Sequence, residues 1–142
     1  MENVSKSPFI EKVGLELQRA ERYSIFISLT VLDLSFLNEI PEDERTESLK
    51  TVLDVVSSNV RAIDSVSVMN KQQLGLLMPE TSRQGAETVA KRIVSLIKGR
   101  LAGENRLEIG DVIPLQMASF PDTAGAKPIR ELLKEWSDRN RN

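Results

Sequence analysis

Residues 25–33 read IFISLTVLD, with apolar, β-branched or aromatic side chains on both parities of the run. Successive side chains of a strand point to opposite faces, so a run that is apolar on both is a strand covered from both sides. Such a strand demands a layer on each face of its sheet, and the sequence around it supplies helices. Upstream, Phe9, Val13, Leu17 and Ala20 recur at helical spacing, with Ser7 as the expected N-cap, Pro8 at the first helical position and an end near Arg22. Downstream, Pro41 stops any continuation of 34–40, and Glu42, Asp43 and Glu44 suit the positive end of a helix dipole. The helix they open carries Leu49, Val52, Leu53, Val56 and Val60 on one face.

Segments 66–69 and 74–78 read as two strands joined by Asn70, Lys71, Gln72 and Gln73, a polar connection of hairpin length, with Pro79 closing the second. Thr81 and Gln84 match a capping box, and Ala86, Val89, Ala90, Ile93 and Ile97 give the next helical stripe. The charged, glycine-punctuated segment 99–110 is expected to be a flexible loop. Ile113, Leu115 and Met117 alternate with Pro114, Gln116 and Ala118 as a strand, which Pro114 assigns to an edge or a bulge because it cannot donate to a ladder. Ile129, Leu132, Leu133 and Trp136 form a last helical stripe before a polar tail, 137–142. Trp136 and the methionines Met69, Met78 and Met117 are expected in the core. The order is αβαββαβα: one α/β domain over 1–142, with the first helix (1–22) leading into a central mixed β-sheet flanked by helices.

A chain of 142 residues with 40 % apolar and 28 % charged side chains supports one core. Its net charge of -2, without a basic block, offers no footprint for long nucleic acid or an anionic membrane. It has no cysteine and no histidine, which removes disulfides, thiolate chemistry and imidazole as base or metal ligand. No run approaches the roughly eighteen apolar residues of a membrane span, and the amino terminus lacks the apolar core of a secretory signal. The expectation is a cytoplasmic protein, or a cytoplasmic piece of a larger one, with no cofactor and no metal.

From Asp33 onward the sequence resembles the GGDEF family, the bacterial diguanylate cyclase domains that make cyclic di-GMP from two GTP molecules. Family members carry a strand ending DxDxFKxIND, a GHxxGDxLL segment, an RxxD five residues before GGDEF and then an apolar strand ending in proline. That frame fits here without an insertion at Asp33, Ile40, Val52, Leu53, Arg61, Asp64 and Pro79. Downstream, ETSRQGAETVAKRI resembles the helix after GGDEF, and MASFPDTAGAKPIRELL resembles the last strand and the start of the final helix. The resemblance implies a nucleotidyl-cyclase-like fold.

The catalytic letters differ. The GGDEF positions read Asn70, Lys71, Gln72, Gln73 and Leu74. In the family the glycines let backbone approach the GTP phosphates, and side chains at Asn70 and Lys71 would obstruct that approach. The family's acidic pair serves Mg²⁺, which asks for hard anionic oxygen, whereas Gln72 and Gln73 bring neutral amides. The guanine-binding asparagine falls at Pro41, the GHxxGD letters become Arg45, Thr46, Leu49 and Lys50, and the sequence reaches Asn142 before the family's ALYxAK helix. The resemblance therefore implies a degenerate, catalytically inactive domain with Asp33 as a relic of the metal site.

In the family, RxxD is the inhibitory site where cyclic di-GMP binds, helped by an arginine on the helix after GGDEF. Here those positions are Arg61, Asp64 and Arg92. An arginine fork can pair with guanine O6 and N7 or a phosphate, and a carboxylate can accept from guanine N–H groups. The same residues have a plainer reading, in which Arg61 and Asp64 form an ordinary ion pair at a helix end and Arg92 faces water. Asp33 can equally cap a loop, and Lys71 can simply solvate a turn. Two functions follow: a cyclic di-GMP receptor module, or a ligand-independent protein-interaction or dimerisation domain.

Overall fold

The computed structural model describes residues 8–69, 72–103, 113–121 and 127–139, the last four of these as helix backbone. Helix α1 (Pro8–Tyr23) begins at the expected proline, while its expected N-cap, Ser7, lies outside the described residues. It ends where Ser24 turns left-handed (φ 55°) and the Ile25 N–H reaches back to the Ala20 carbonyl, the wrap that satisfies orphan carbonyls at a helix end. Strand β1 (Ile27–Asp33) follows, then a short 3₁₀ turn (Ser35–Glu39) and α2 (Glu42–Ser58), whose first turn is Glu42, Asp43 and Glu44. Strands β2 (Ser65–Met69) and β3 (Gln73–Pro79) form a hairpin, α3 (Arg83–Gly103) runs back along the sheet, and β4 (Leu115–Phe120) and α4 (Ile129–Arg139) complete the fold.

The sheet order is β2-β3-β1-β4, and every neighbouring pair is antiparallel rather than mixed as expected. The reason is topological. Each helical crossover, β1-α2-β2 and β3-α3-β4, joins strands of the same direction, but each skips one place and leaves it for a strand of the other unit. Two interleaved split units thus give an antiparallel sheet with β1 in an inner position.

Alternation along the strands builds two cores. Leu32, Leu74, Leu76, Met78 and Met117 face α2 and α3, meeting Val52, Val55, Val56, Ala86, Ala90, Ile93 and Ile97. Ile27, Leu29, Val31, Leu77 and Ala118 face α1 and α4, meeting Phe9, Ile10, Val13, Leu17, Ile129 and Leu132. The two-sided burial of β1 follows directly from these layers. Met69, Met78 and Met117 are buried as expected, whereas the side chain of Trp136 lies outside the described residues.

Several boundaries moved. Gln73 belongs to β3 and pairs with Met69, so it is part of the ladder rather than of the connection. Ser82, not Thr81, caps α3, its hydroxyl accepting from the Gly85 N–H at 3.2 Å. Helix α3 continues through Gly99 to Gly103 where a loop was expected, because Ile97 and Leu101 extend the buried stripe past the glycine. The loop's remainder, 104–110, lies outside the described residues. Residues 137–139 of the expected polar tail are helical. The edge that Pro114 marked is found among the described residues, where β4 closes one side of the sheet. Among the described residues, no helix is long and apolar enough to cross a membrane.

Candidate functional site

The strands place two regions of interest at opposite ends of the sheet. One end holds the C-terminus of β1 and the starts of β3 and β4. The other holds the starts of β1 and β2 and the end of β3. Seven strand residues separate them by about 20 Å.

At the first end, Asp33 and Gln73 are register partners across β1 and β3. With Val31, Pro114, Leu115 and Gln116 they line an open pocket of about 240 Å³. Asp33 Oδ1 accepts the Ser35 N–H at 2.7 Å, which turns the chain into the 3₁₀ segment, and its own N–H donates to the Pro114 carbonyl at 2.9 Å. The Leu34 N–H reaches the Gln72 carbonyl at 2.7 Å, tying the hairpin connection to the end of β1. Asn70 and Lys71 lie outside the described residues.

Among the described residues, Asp33 is the only carboxylate lining this pocket, and its neighbours Gln73 and Gln116 offer amides. Among the described residues no group of three or more acidic side chains could enclose a cation. The lining residues therefore offer a hard cation one anionic side chain beside neutral amides. Arg45, in place of a guanine-site letter, is engaged with the backbone: its Nε donates to the Ile40 carbonyl at 2.8 Å and its Nη2 to the Asn38 carbonyl at 2.9 Å. It staples the 3₁₀ turn to α2.

At the second end, the tight turn between α2 and β2 brings Arg61 and Asp64 together. The Asp64 N–H donates to the Arg61 carbonyl at 3.0 Å, and the Arg61 N–H donates to Asp64 Oδ2 at 2.7 Å. The side chains close a second layer, Nη2 to Oδ1 at 2.9 Å and Nε to Oδ2 at 3.3 Å. Nη2 also donates to the Pro79 carbonyl at 2.8 Å and the Thr81 hydroxyl at 2.5 Å. Arg61 therefore clamps the α2–β2 turn onto the β3–α3 turn. Its hydrogen bond to Asp64 raises its pKa above the usual arginine value, with burial opposing. The Asp64 side chain is 2 % exposed and that of Arg61 51 %.

Arg92 is exposed on α3, and its Nε donates to Asn59 Oδ1 at 3.3 Å. Asn59 ends α2, its side-chain amide also donating to the Val55 carbonyl at 2.7 Å. Arg92 thus contacts the segment two residues before Arg61, while Arg61 and Asp64 face each other. Thr81, Asn59 and the Pro79 carbonyl completed this arrangement without a sequence signal. Thr81 had been read as a cap, and a carbonyl acceptor carries no side-chain letter.

The sequence matches no protein-family model and no curated protein. The fold has solved counterparts. The diguanylate cyclase SiaD of Pseudomonas aeruginosa, solved in complex with its activator SiaC, superposes over 93 % of this chain with a TM-score of 0.66 at 17 % identity. This chain spans about half of SiaD, 51 %. A DGC protein from Thermotoga maritima matches over 98 % of this chain and 95 % of its own length, with a TM-score of 0.67 at 16 % identity. The GGDEF domain of DgcB from Caulobacter crescentus, in complex with c-di-GMP, covers 84 % of this chain and 77 % of its own length, with a TM-score of 0.62 at 13 % identity. These likenesses hold over 84–98 % of the chain, and with the antiparallel sheet between two helical layers they show that the chain has the fold of GGDEF domains.

Proposed function

We propose that this chain is a GGDEF-like signalling module that has lost GTP cyclisation and acts by contacting protein, without requiring nucleotide. The observation that carries this reading is the Arg61 clamp. Both groups that a regulatory nucleotide would use are engaged within the fold, and Asp64 is almost inaccessible. A ligand would have to break bonds between a charged fork and three acceptors before making its own; such bonds contribute about 1.5–3 kcal/mol each when shielded and less at this half-exposed side chain.

Two further features support the reading. Among the described residues, the pocket at Asp33 and Gln73 carries one carboxylate, and Gln73 brings an amide where the family has an acidic side chain. Tyr23, Phe26 and Ile63 are exposed apolar side chains at the end of the sheet that also carries the clamp, a place where protein can dock. A structural counterpart, the diguanylate cyclase SiaD, was solved in complex with a protein, its activator SiaC.

A second reading, a cyclic di-GMP receptor at Arg61, Asp64 and Arg92, is favoured by the half-exposed Arg61 side chain and by the contact between Arg92 and Asn59. Calorimetric titration with cyclic di-GMP into the high micromolar range separates the two. No saturable heat is expected. Saturable binding that disappears in a folded Arg92→Ala variant would replace the interaction reading with the receptor. Incubation with GTP and Mg²⁺ is expected to yield no cyclic di-GMP, and product formation would overturn the assignment of an inactive domain.

A further inference from the structure

Strand β2 is one edge of the sheet. Residues Ser65, Val66, Ser67, Val68 and Met69 pair with Leu77, Leu76, Gly75, Leu74 and Gln73 in unbroken register, so no bulge twists the edge away. Among the described residues no strand lies on its other side. An antiparallel edge leaves every second residue's N–H and C=O pointing outward, and natural edges are usually guarded by charge, proline or a bulge. The opposite edge, β4, is bracketed by Pro114 and Pro121, whereas β2 is preceded by Asp64. The sequence of β2, SVSVM, has neither a charge nor a proline.

We infer that the β2 edge is a self-pairing seam, at which a second copy of this chain adds its own β2 antiparallel about a twofold axis at Ser67. This deepens the reading of the domain as a protein-contact module and rests on it. The occupant follows from the symmetry of the strand. Centred on Ser67, antiparallel pairing sets Ser67 opposite Ser67 of the second copy and Val66 opposite Val68, with Ser65 opposite Met69 at the ends. In the three central positions serine meets serine and valine meets valine, and no charge is brought into the seam.

The two faces agree with this register. Val66 and Val68 pack against the α2–α3 core but are only partly buried, so each gains a valine neighbour on the same face. Ser67 lies on the other face, its hydroxyl 3.8 Å from Met69 Sδ. Pairing would extend the four-stranded sheet to eight strands through one isologous contact that closes on itself. A seam of five residues buries less than the roughly 1,000 Å² of a stable interface, so the dimer is weak, with a dissociation constant of about 10–1,000 μM.

The absence of cysteine makes the test direct. In the proposed register a Ser67→Cys variant opposes its thiol to that of the second copy with Cβ atoms about 4.5–5.5 Å apart, close enough for a disulfide after small adjustment. Under mild oxidation, the Ser67→Cys variant is expected to form covalent dimer at least about tenfold faster than a Leu15→Cys control, owing to its higher effective concentration. Leu15 is 65 % exposed on α1 and far from the seam in sequence. Circular dichroism checks that both variants are folded, and Val66→Lys added to Ser67→Cys is expected to abolish the advantage.

Sedimentation of the unmodified chain is expected to show reversible dimer as its concentration rises. A Ser67→Cys variant no faster than the control overturns the seam, and so does a chain that stays monomeric at about 1 mM, where even the weakest dimer of the expected range would be substantially populated. If the chain still binds another protein without nucleotide, the protein-contact reading survives that failure. If cross-linking occurs only with added cyclic di-GMP, the seam stands and the nucleotide-independent reading falls.

Discussion

Replacing Arg61 by alanine tests whether the clamp is part of the fold. In the native turn the guanidinium reaches Asp64, the Pro79 carbonyl and the Thr81 hydroxyl. Truncation leaves the Asp64 carboxylate, 2 % exposed, with the Arg61 backbone N–H at 2.7 Å but without a counter-ion. The Pro79 carbonyl keeps the Thr81 hydroxyl at 3.0 Å, so part of the arrangement survives. Hydrogen bonds to charged groups contribute about 1.5–3 kcal/mol, but the Arg61 side chain is half exposed and water replaces part of what is lost. The expected net cost is about 1–2 kcal/mol. For a domain of this size that lowers Tm by about 3–8 °C. Thermal and urea unfolding of Arg61→Ala, Asp64→Ala and the double variant form a cycle, with an expected coupling of about 0.5–1.5 kcal/mol. If Arg61→Ala stays within about 1 °C of the parent and the cycle shows no coupling, the clamp contributes nothing to folding and the argument from it fails.

Other substitutions probe the layers around the site. Thr30 Oγ1 is buried without a hydrogen-bond partner among the described residues, so Thr30→Val should leave stability unchanged or raise it by up to about 1 kcal/mol in urea unfolding. Ile93 is fully buried between α3 and the sheet, and Ile93→Ala should cost about 2–5 kcal/mol by the same measurement. Ser24 holds a left-handed backbone after α1, so Ser24→Gly should stabilise by about 0.5–1 kcal/mol, seen as a higher Tm. Asp33→Asn keeps an acceptor for the Ser35 N–H, so calorimetry should show a Tm within about 2 °C of the parent.

Much of the fold was legible because hydrophobic period reports burial directly. The two-parity run ending at Asp33 marked a strand with a helical layer on each face, and the stripes on α1, α2 and α3 marked the faces that bury. Pro114 marked an edge because it lacks the N–H a ladder needs. Helix α3 ran past Gly99 because Leu101 still had a core to enter, a tertiary gain that exceeds the local cost of one glycine. At the site, sequence placed Arg61 and Asp64 at one turn by their spacing. It could not show that the Pro79 carbonyl and Thr81 complete the clamp, since these sit 18 and 20 residues away and meet Arg61 only when β3 returns.

The residues themselves determined the apolar faces, the approximate element order and the lack of acidic and glycine letters at positions 70–73, because each of these is a local property of side chains. Tertiary structure alone decided that all neighbouring strands run antiparallel, since direction depends on which strand fills the gap left by each crossover. It also decided what Arg61 touches. A guanidinium in sequence is a charge in search of acceptors, and only the closed chain shows that it finds them inside the domain.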